Sequence, residues 1–500
     1  MEVLSVKAAR SMDEDAIKKV GIPSIVLMEN AAQEIFNNIV NKGNSFIVFC
    51  GAGNNGGDGL AIARKLILSN KRVKVFLVCD LDKASPEFKI NYNILINMKA
   101  ELHRFNIKND MLTKMIEVVS EADIVVDSIF GIGLNREIKG DIYLVIELIN
   151  KYAKYVVSVD SPSGLDCDSG GNFGIAIEAK ETYSIETLKK GFFQNKAKRY
   201  LGEIKVVEIG IPNLVKQRNT ENIYLLGENM YKNLIPIRSD YGYKGTYGKV
   251  IVLAGSRGLT GAAYITTEAV VRSGAGLTTL LVEEEIKPLL ANRLIEAMTV
   301  TYNEKEKIDN LIETADVIIC GPGLGNGIAN RNMLIHCINS SRCPMVIDAD
   351  GLNIIANDEG CINKLKGRAI FTPHLGEMSR LANESVQKIE LHRIDVCINY
   401  AKEHGIIALL KGHNTIISNG KDVVINETGN SKMASGGMGD CLTGIIGSLV
   451  GQGVGLFDSA VLGAYLHGLA ADRLSKDRYV INARDVIEEI PKTIEHLLRK

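Results

Sequence analysis

Short apolar runs alternate with amphipathic stretches along almost the whole chain. In the first half the runs are Phe46 to Cys50, Val73 to Cys79, Ile124 to Asp127, Tyr155 to Asp160 and Ile204 to Ile209. Each has the length of a buried strand, and segments of helical period such as Tyr143 to Lys151 lie between them. This alternation predicts a parallel sheet covered on both faces, since a parallel crossover returns through a helix. The rhythm breaks between Pro212 and Gly248, where Lys216 to Asn222 is polar and Tyr241 to Gly248 is turn-like. A second series then runs through Lys249 to Gly255, Leu277 to Val282, Asp316 to Cys320, Pro344 to Asp348, Ala369 to Thr372 and Ile406 to Leu410. The pattern predicts two α/β domains in tandem, residues 1–215 and 225–500, with the boundary near 213–225. No repeat at a period of a few tens of residues is present, which excludes solenoids and propellers.

Composition narrows the partners. Five hundred residues exceed what one core ordinarily supports, in keeping with two domains. With 46% hydrophobic residues and a net charge of -1, no global charge argument points to nucleic acid or to a membrane surface. A small dissolved partner is expected, and a homo-oligomer is left open. The nine cysteines are scattered, with no C-x-x-C pair, and read as buried reduced thiols. Met1 to Asp15 lacks the apolar core of a signal peptide, so a cytoplasmic protein is expected. The uncharged stretch Cys441 to Phe457 contains five glycines and Gln452, which predicts a helix packed inside a core rather than a membrane span.

In open parallel sheets ligands gather beyond the carboxyl ends of strands, and those ends carry the unusual residues here. Gly51 to Gly59 reads Gly-Ala-Gly-Asn-Asn-Gly-Gly-Asp-Gly between a strand and a helix. Five glycines in nine residues are read as a phosphate cradle rather than as packing positions, and Gly51, Gly53 and Gly56 satisfy the dinucleotide fingerprint. Asp127 to Asn135 and Asp160 to Asp166 follow two further strands. Asn55, Asp127 and Ser163 would bring oxygens to one rim, a set suited to a hard cation, and Asp160 at the same rim could act as acid or base. The alternative is that Asp127 and Asp160 merely cap helices or close turns.

Near the other end, Gly436-Gly437-Met438-Gly439-Asp440 opens the uncharged helix. Backbone N–H groups at a helix start form an anion site, and a carboxylate beside them can deprotonate a hydroxyl, which together indicate phosphoryl transfer. Asp440 could instead be only the cap of that helix. Lys411 to Thr415 follows a strand and could meet phosphate or ribose, while Thr372 to Glu377 places His374 and Glu377 at another strand end. The nearest approach to a Walker A motif, Gly242 to Lys249, has the wrong spacing and Val250 where Ser or Thr is required, so a P-loop NTPase is not expected.

Taken in order, these motifs resemble the bifunctional NAD(P)H-hydrate repair enzymes, in which an NAD(P)HX epimerase domain precedes an ADP- or ATP-dependent NAD(P)HX dehydratase domain. Gly51 to Gly59 with Ala63-Arg64, Asp127 with Gly131 to Gly133, and Asp160 to Asp166 resemble the epimerase signatures. Gly255-Ser256 with Gly261-Ala262, Gly321 to Gly325, Asp348 to Asn353, Thr372 to Glu377 and Gly436 to Asp440 resemble the dehydratase signatures. The stretch Thr182 to Gly191 matches only loosely, and Ser161 stands where the family often has Ile or Val.

The resemblance implies an α/β protein with a Rossmann-like three-layer N-terminal domain and a ribokinase-like C-terminal domain. In the first, Asn54, Asn55, Gly56, Gly57 and Asp58 would line the hydrated dinucleotide together with Gly131, Ile132, Gly133, Leu134, Asn135, Arg136 and Glu137. Asn55, Asp127 and Ser163 would bind K+, and Asp160 would contact the altered nicotinamide as the epimerisation acid or base. In the second, Ala262, Gly323, His374 and Asp440 would contact the hydrate. Lys411, Gly412, His413, Asn414, Thr415 and Gly439 would hold ADP or ATP, with Mg2+, and Asp440 would be the catalytic base. Rival readings are a ribokinase-like small-molecule kinase with a non-catalytic nucleotide-binding first domain, and a hydride-transferring dehydrogenase.

Overall fold

The computed structural model describes residues 1–104, 109–194, 196–227, 230 and 232–499, with the backbone alone of 109–113 and 232. Every site residue expected from the sequence lies among them. The chain divides into two compact units, Met1–Ile223 and Tyr224–Lys500.

The first unit is built on seven parallel strands in the order Leu102–Arg104, Arg72–Leu77, Ser45–Cys50, Ile124–Ser128, Val156–Val159, Glu181–Ile185 and Glu203–Val207. The chain runs outward from Ser45–Cys50 to one edge, then returns beside that strand and runs to the other. The loops after Ser45–Cys50 and Ile124–Ser128 therefore part at a topological switch point, where open α/β sheets bind ligands. One face of the sheet packs on the helices Ser24–Ile39, Asn54–Leu68 and Pro86–Asn97, through side chains such as Ile35, Leu60 and Phe88. The other packs on Asp141–Tyr152 through Val145 and Ile149. Alternating inward and outward side chains on fully covered strands make this a three-layer unit.

A helix outside the sheet, Val6–Asp15, is amphipathic, with Ser5 accepting from the Ala8 N–H as its N-cap. It packs through Met12 on Val215 of the helix Asn213–Asn219, so part of the polar stretch Lys216 to Asn222 is helix and not open linker. A two-strand parallel ladder, Val3–Leu4 with Leu188–Lys189, ties the start of the chain to the end of the sheet.

The second unit has a ten-stranded sheet in the order Ile223–Leu225, Val423–Asn426, Thr415–Ser418, Ile407–Leu410, Ala369–Phe371, Met345–Ile347, Val317–Cys320, Lys249–Leu253, Leu277–Val282 and Met298–Thr301. The strands from Ile407–Leu410 through Met298–Thr301 are parallel. The pairs from Ile407–Leu410 to Val423–Asn426 are antiparallel, which the alternating pattern did not predict. The connections between those strands are too short to hold a crossover helix, so the chain folds back as hairpins. The uncharged stretch is a buried helix as far as Gly451, Met438–Gly451, packed against Thr260–Arg272 with every residue from Cys441 to Gly451 buried, while Leu456 and Phe457 open the next helix, Leu456–Leu474. An added Cβ at Gly444 would lie 2.4 Å from the Thr266 carbonyl oxygen, so this glycine permits the close crossing. No helix among the described residues is long and apolar enough to cross a membrane.

Candidate active sites

At the first switch point lies a cleft of about 540 Å³. Its lining includes Asn54, Asn55, Asp58, Gly131 to Arg136 and Asp160, all expected from the sequence. It also includes Arg10 and Asp13 from the first helix, with Ile185 and Lys189 from the end of the sheet.

The glycine loop differs in its logic from the expectation. A Cβ at Gly51 would come 1.9 Å from the Ile129 carbonyl oxygen, and one at Gly56 would come 1.8 Å from that of Gly51. At Gly59 it would meet the Ser128 hydroxyl at 1.9 Å. These three glycines are packing positions, holding the helix Asn54–Leu68 hard against the two central strands. Gly57 faces Met28, so neither it nor Gly56 lines the cleft. Only Gly53 stands open, at the N-cap of that helix, where no side chain takes up the first N–H groups. Glu137 also lies outside the lining, paired with Lys139 at 2.8 Å.

Asp160 sits in strained backbone. Its φ is +65°, and the Ser161 N–H donates to the Val159 carbonyl at 2.8 Å, a three-residue γ-turn around the aspartate. Oδ1 accepts from Lys189 Nζ at 2.6 Å and from the Ile185 N–H at 3.1 Å. Lys189 is 1% exposed, and its ammonium also reaches Ser184 Oγ and the carbonyls of Ile185 and Thr187. Asp58 and Asp13 face the same space. Burial, then the Asp160 and Asp13 carboxylates, push Asp58 well above the usual carboxylate range. Burial, then Asp160, push Asp13 up to about 6.

Asp127 caps no helix. It is fully buried and accepts from Ser158 Oγ, from both the N–H and Oγ of Ser163, and from the Ile129 N–H. Burial raises its pKa against the pull of those donors. The Asn55 side-chain amide is buried with no partner, packed beside Gly131. An orphaned amide carbonyl on this rim, together with a desolvated carboxylate, fits a hard monovalent cation.

In the second unit the site assembles at the carboxyl ends of four neighbouring strands. Asp348, 1% exposed, accepts from the Ala349 N–H and Lys411 Nζ on one oxygen and from Thr443 Oγ1 on the other. Burial pulls the Lys411 ammonium down, but the carboxylates of Asp348 and Glu377 outweigh it and hold the pKa above its ordinary value. Gly439 is beside that ammonium, a Cβ there lying 3.3 Å from Nζ. Lys411 thus belongs to the carboxylate cluster. Gly412 and the Asn414 carbonyl rest instead on the buried Arg393 guanidinium, His413 is exposed, and Thr415 begins the next strand.

The helix Met438–Gly451 is capped by Gly437 at φ +86°, not by Asp440. Asp440 lies in its first turn and accepts no hydrogen bond from the described residues. Burial, then the Asp348 carboxylate, raise it to about 6, while Lys411 opposes. His374 caps the helix Leu375–Ala382, its Nδ1 accepting from the N–H groups of Gly376 and Glu377 while Nε2 faces Glu377 at 3.2 Å. Ala262 and Gly323 touch: a Cβ on Gly323 would lie 2.7 Å from that of Ala262. Arg10, Asp13, Lys189, Asp348, Thr443 and Arg393 received no role from the sequence. Asp348 alone stood inside a recognised motif.

Residues 250–492 match the family described as NAD(P)H-hydrate dehydratase, and residues 24–191 match the one described as YjeF-related protein N-terminus. The chain is 36% identical to the bifunctional NAD(P)H-hydrate repair enzyme of Moorella thermoacetica, across 97% of this chain and 95% of that protein. To the enzyme of the same description from Escherichia coli it is 33% identical, across 93% of this chain and 88% of that protein. Among solved structures, a ribokinase-like superfamily protein from Enterococcus faecalis is similar at 29% identity and a TM-score of 0.52, covering 56% of this chain and 98% of its own. The second unit is accordingly ribokinase-like.

Proposed function

The chain belongs to the family of bifunctional NAD(P)H-hydrate repair enzymes, and from that premise we propose how its residues divide the work. It is an enzyme with two activities, epimerisation of NAD(P)HX in the first unit and dehydration of NAD(P)HX in the second. The first unit interconverts the R and S hydrates. The second returns the S form to NAD(P)H at the expense of ADP, giving AMP and phosphate.

The observation that carries this reading is Asp440, a carboxylate without a donor beside the Lys411–Asp348 pair at an open helix start. Hydroxide leaves poorly at neutral pH, and phosphorylating the hydrate hydroxyl removes that obstacle. Asp440 takes the hydroxyl proton as the terminal phosphoryl group is transferred to the oxygen. Lys411 and the first N–H groups of the helix Met438–Gly451 neutralise the charge that develops; the C–O bond then breaks, phosphate leaves, and the adjacent ring carbon gives up a proton to water so that the ring regains its double bond. Ala262, Gly323 and His374 border the hydrate, and Gly412 to Thr415 with Gly439 border the nucleotide. Among the described residues no cluster of three or more His, Cys, Asp or Glu side chains is built to hold a metal, so Mg2+ would arrive with the nucleotide phosphates.

In the first unit Asp160 faces the altered ring, and the open start of the helix Asn54–Leu68 faces the pyrophosphate. Asn55, Asp127 and Ser163 would hold K+, which supplies positive charge to an acidic rim. With seven of nine cysteines buried as free thiols, the protein suits a reducing compartment, the cytoplasm.

The test incubates purified protein with mixed hydrate epimers and ADP or ATP and follows NAD(P)H absorbance. Recovery of both epimers with release of free phosphate is expected. Recovery that stalls at the S share would remove the epimerase role. A stable phosphorylated product would replace dehydration with kinase chemistry.

A further inference from the structure

Epimerisation at the hydroxyl-bearing carbon needs two proton movements. That carbon is bonded to the ring nitrogen, so its C–O bond breaks when the oxygen is protonated, releasing water and leaving a carbon–nitrogen iminium. Water then adds to the other face and gives up a proton. The two steps balance: one proton is donated, one is returned, and no oxidant or further reactant is consumed. A single carboxylate serves only one face at a time, and Asp160 is the only such group assigned from the sequence.

Asp13 lines the same cleft from a separate element, the helix Val6–Asp15, ahead of the residues matched by the N-terminal family. Its carboxylate accepts no hydrogen bond from the described residues, whereas Asp160 is bound by Lys189 at 2.6 Å and by the Ile185 N–H. Asp58, 7% exposed and likewise without a donor, adjoins both, so the cleft holds desolvated carboxyl groups with no structural partner of their own. The helix is fixed where it stands. Met12 and Ala16 are buried in a cluster with Val215, and the backbone N–H groups of Ser5 and Val6 donate to Glu221 and Asp168. A helix pinned at its start and along its buried face presents Asp13 to the cleft in a set position.

We infer that Asp13 is the second acid–base group of the epimerase, exchanging a proton with the hydroxyl on one face of the ring while Asp160 serves the other. The charged groups facing it are Asp160, Lys189, Glu186 and Asp58, with Arg10 on its own helix. Its elevated pKa, about 6, lets it hold a proton far more often than an ordinary aspartate does near neutral pH.

This inference rests on the epimerase reading of the first unit. R-to-S conversion is measured on the full chain by chiral separation of the hydrates, for wild type, Asp13→Ala and Asp13→Glu, with and without added formate. The expected result is a kcat loss of about 100-fold or more in Asp13→Ala with KM little changed. Formate should restore part of it, and Asp13→Glu should retain part. A kcat within threefold of wild type, a loss confined to KM, or a kcat loss that formate does not relieve would each overturn the assignment. Thermal melting checks that the variants fold. If wild type itself fails to convert the R form, the proposed function falls, which is a different outcome from a wild type and an Asp13→Ala that convert equally.

Discussion

Lys411 donates to Asp348 across 2.7 Å, and Thr443 closes the other oxygen of that carboxylate at the same distance. The pair joins two strand ends to the helix that carries Asp440. On the proposed function the pair holds an ammonium beside the phosphoryl path, and Asp348, with both oxygens engaged, is poorly placed to act as a base.

Asp348→Asn should therefore remove dehydration while leaving epimerisation. It strips the hydrogen-bonded charge partner from a buried ammonium, leaving Glu377 at 3.8 Å and the more weakly interacting Asp440. A loss of about 3 kcal/mol in the stability of the second unit is expected from breaking a buried pair. Denaturant melting and NAD(P)H recovery check the two effects. Wild-type dehydration by this variant would show that Lys411 needs no partner.

Asp440 links activity and stability in opposite directions. As a base it must be ionised, so dehydration should fall as pH drops through about 6. Its folded pKa exceeds its unfolded one, so the folded unit binds the proton more tightly, and stability is lost as pH rises from about 4 to about 6. Asp440→Asn should melt higher than wild type at pH 7.5, and the difference should narrow as pH falls below about 6 and vanish only below about pH 3, where both states of the wild type are protonated. An Asn variant that melts lower at pH 7.5 would contradict the desolvation of this carboxylate.

Lys189→Met should abolish conversion of the R hydrate by releasing Asp160 from its donor and leaving the Ser184, Ile185 and Thr187 acceptors without an ammonium. A loss of about 3 kcal/mol is expected for an uncompensated buried group. Lys189→Arg should not rescue the activity, since a side chain 1% exposed leaves no room for a guanidinium. Chiral analysis of the hydrates decides the point, and full conversion by the Arg variant would mean that charge alone suffices.

Gly51 and Gly53 are two residues apart and should respond differently. Gly51→Ala drives a Cβ into the Ile129 carbonyl and should cost the first unit more than about 2 kcal/mol. Gly53→Ala meets nothing within 4 Å and has φ -82°, so it should fold normally and raise KM for the hydrate in the epimerisation assay. Equal melting temperatures for the two variants would show that the loop is not a packing device.

The sheets and the placement of three aspartates at strand ends and a helix start were legible from local pattern. Asp127 and Asp160 each close an apolar run, and Asp440 follows consecutive glycines at the start of an uncharged helix. Asp13 and Lys189 carry no such signal. The first lies on a helix before the sheet begins, and the second on a two-residue strand whose burial comes from pairing with Val3–Leu4, nearly two hundred residues away. The glycine loop was misread because composition does not distinguish a glycine that admits a ligand from one that admits a neighbouring carbonyl. The hairpin edge escaped because its strands are as apolar as the parallel ones, and only the shortness of their connections separates the cases.

On the proposed function, Asp160 in one unit and Asp440 in the other perform separable reactions on one damaged dinucleotide. Chiral separation of R and S hydrates during incubation with ADP, for wild type, Asp160→Ala and Asp440→Asn, tests it most directly. Asp440→Asn should interconvert the epimers without yielding NAD(P)H, and Asp160→Ala should consume the S form and leave the R form turning over no faster than in buffer. NAD(P)H recovery by Asp440→Asn, or R-form consumption at the wild-type rate by Asp160→Ala, would contradict it.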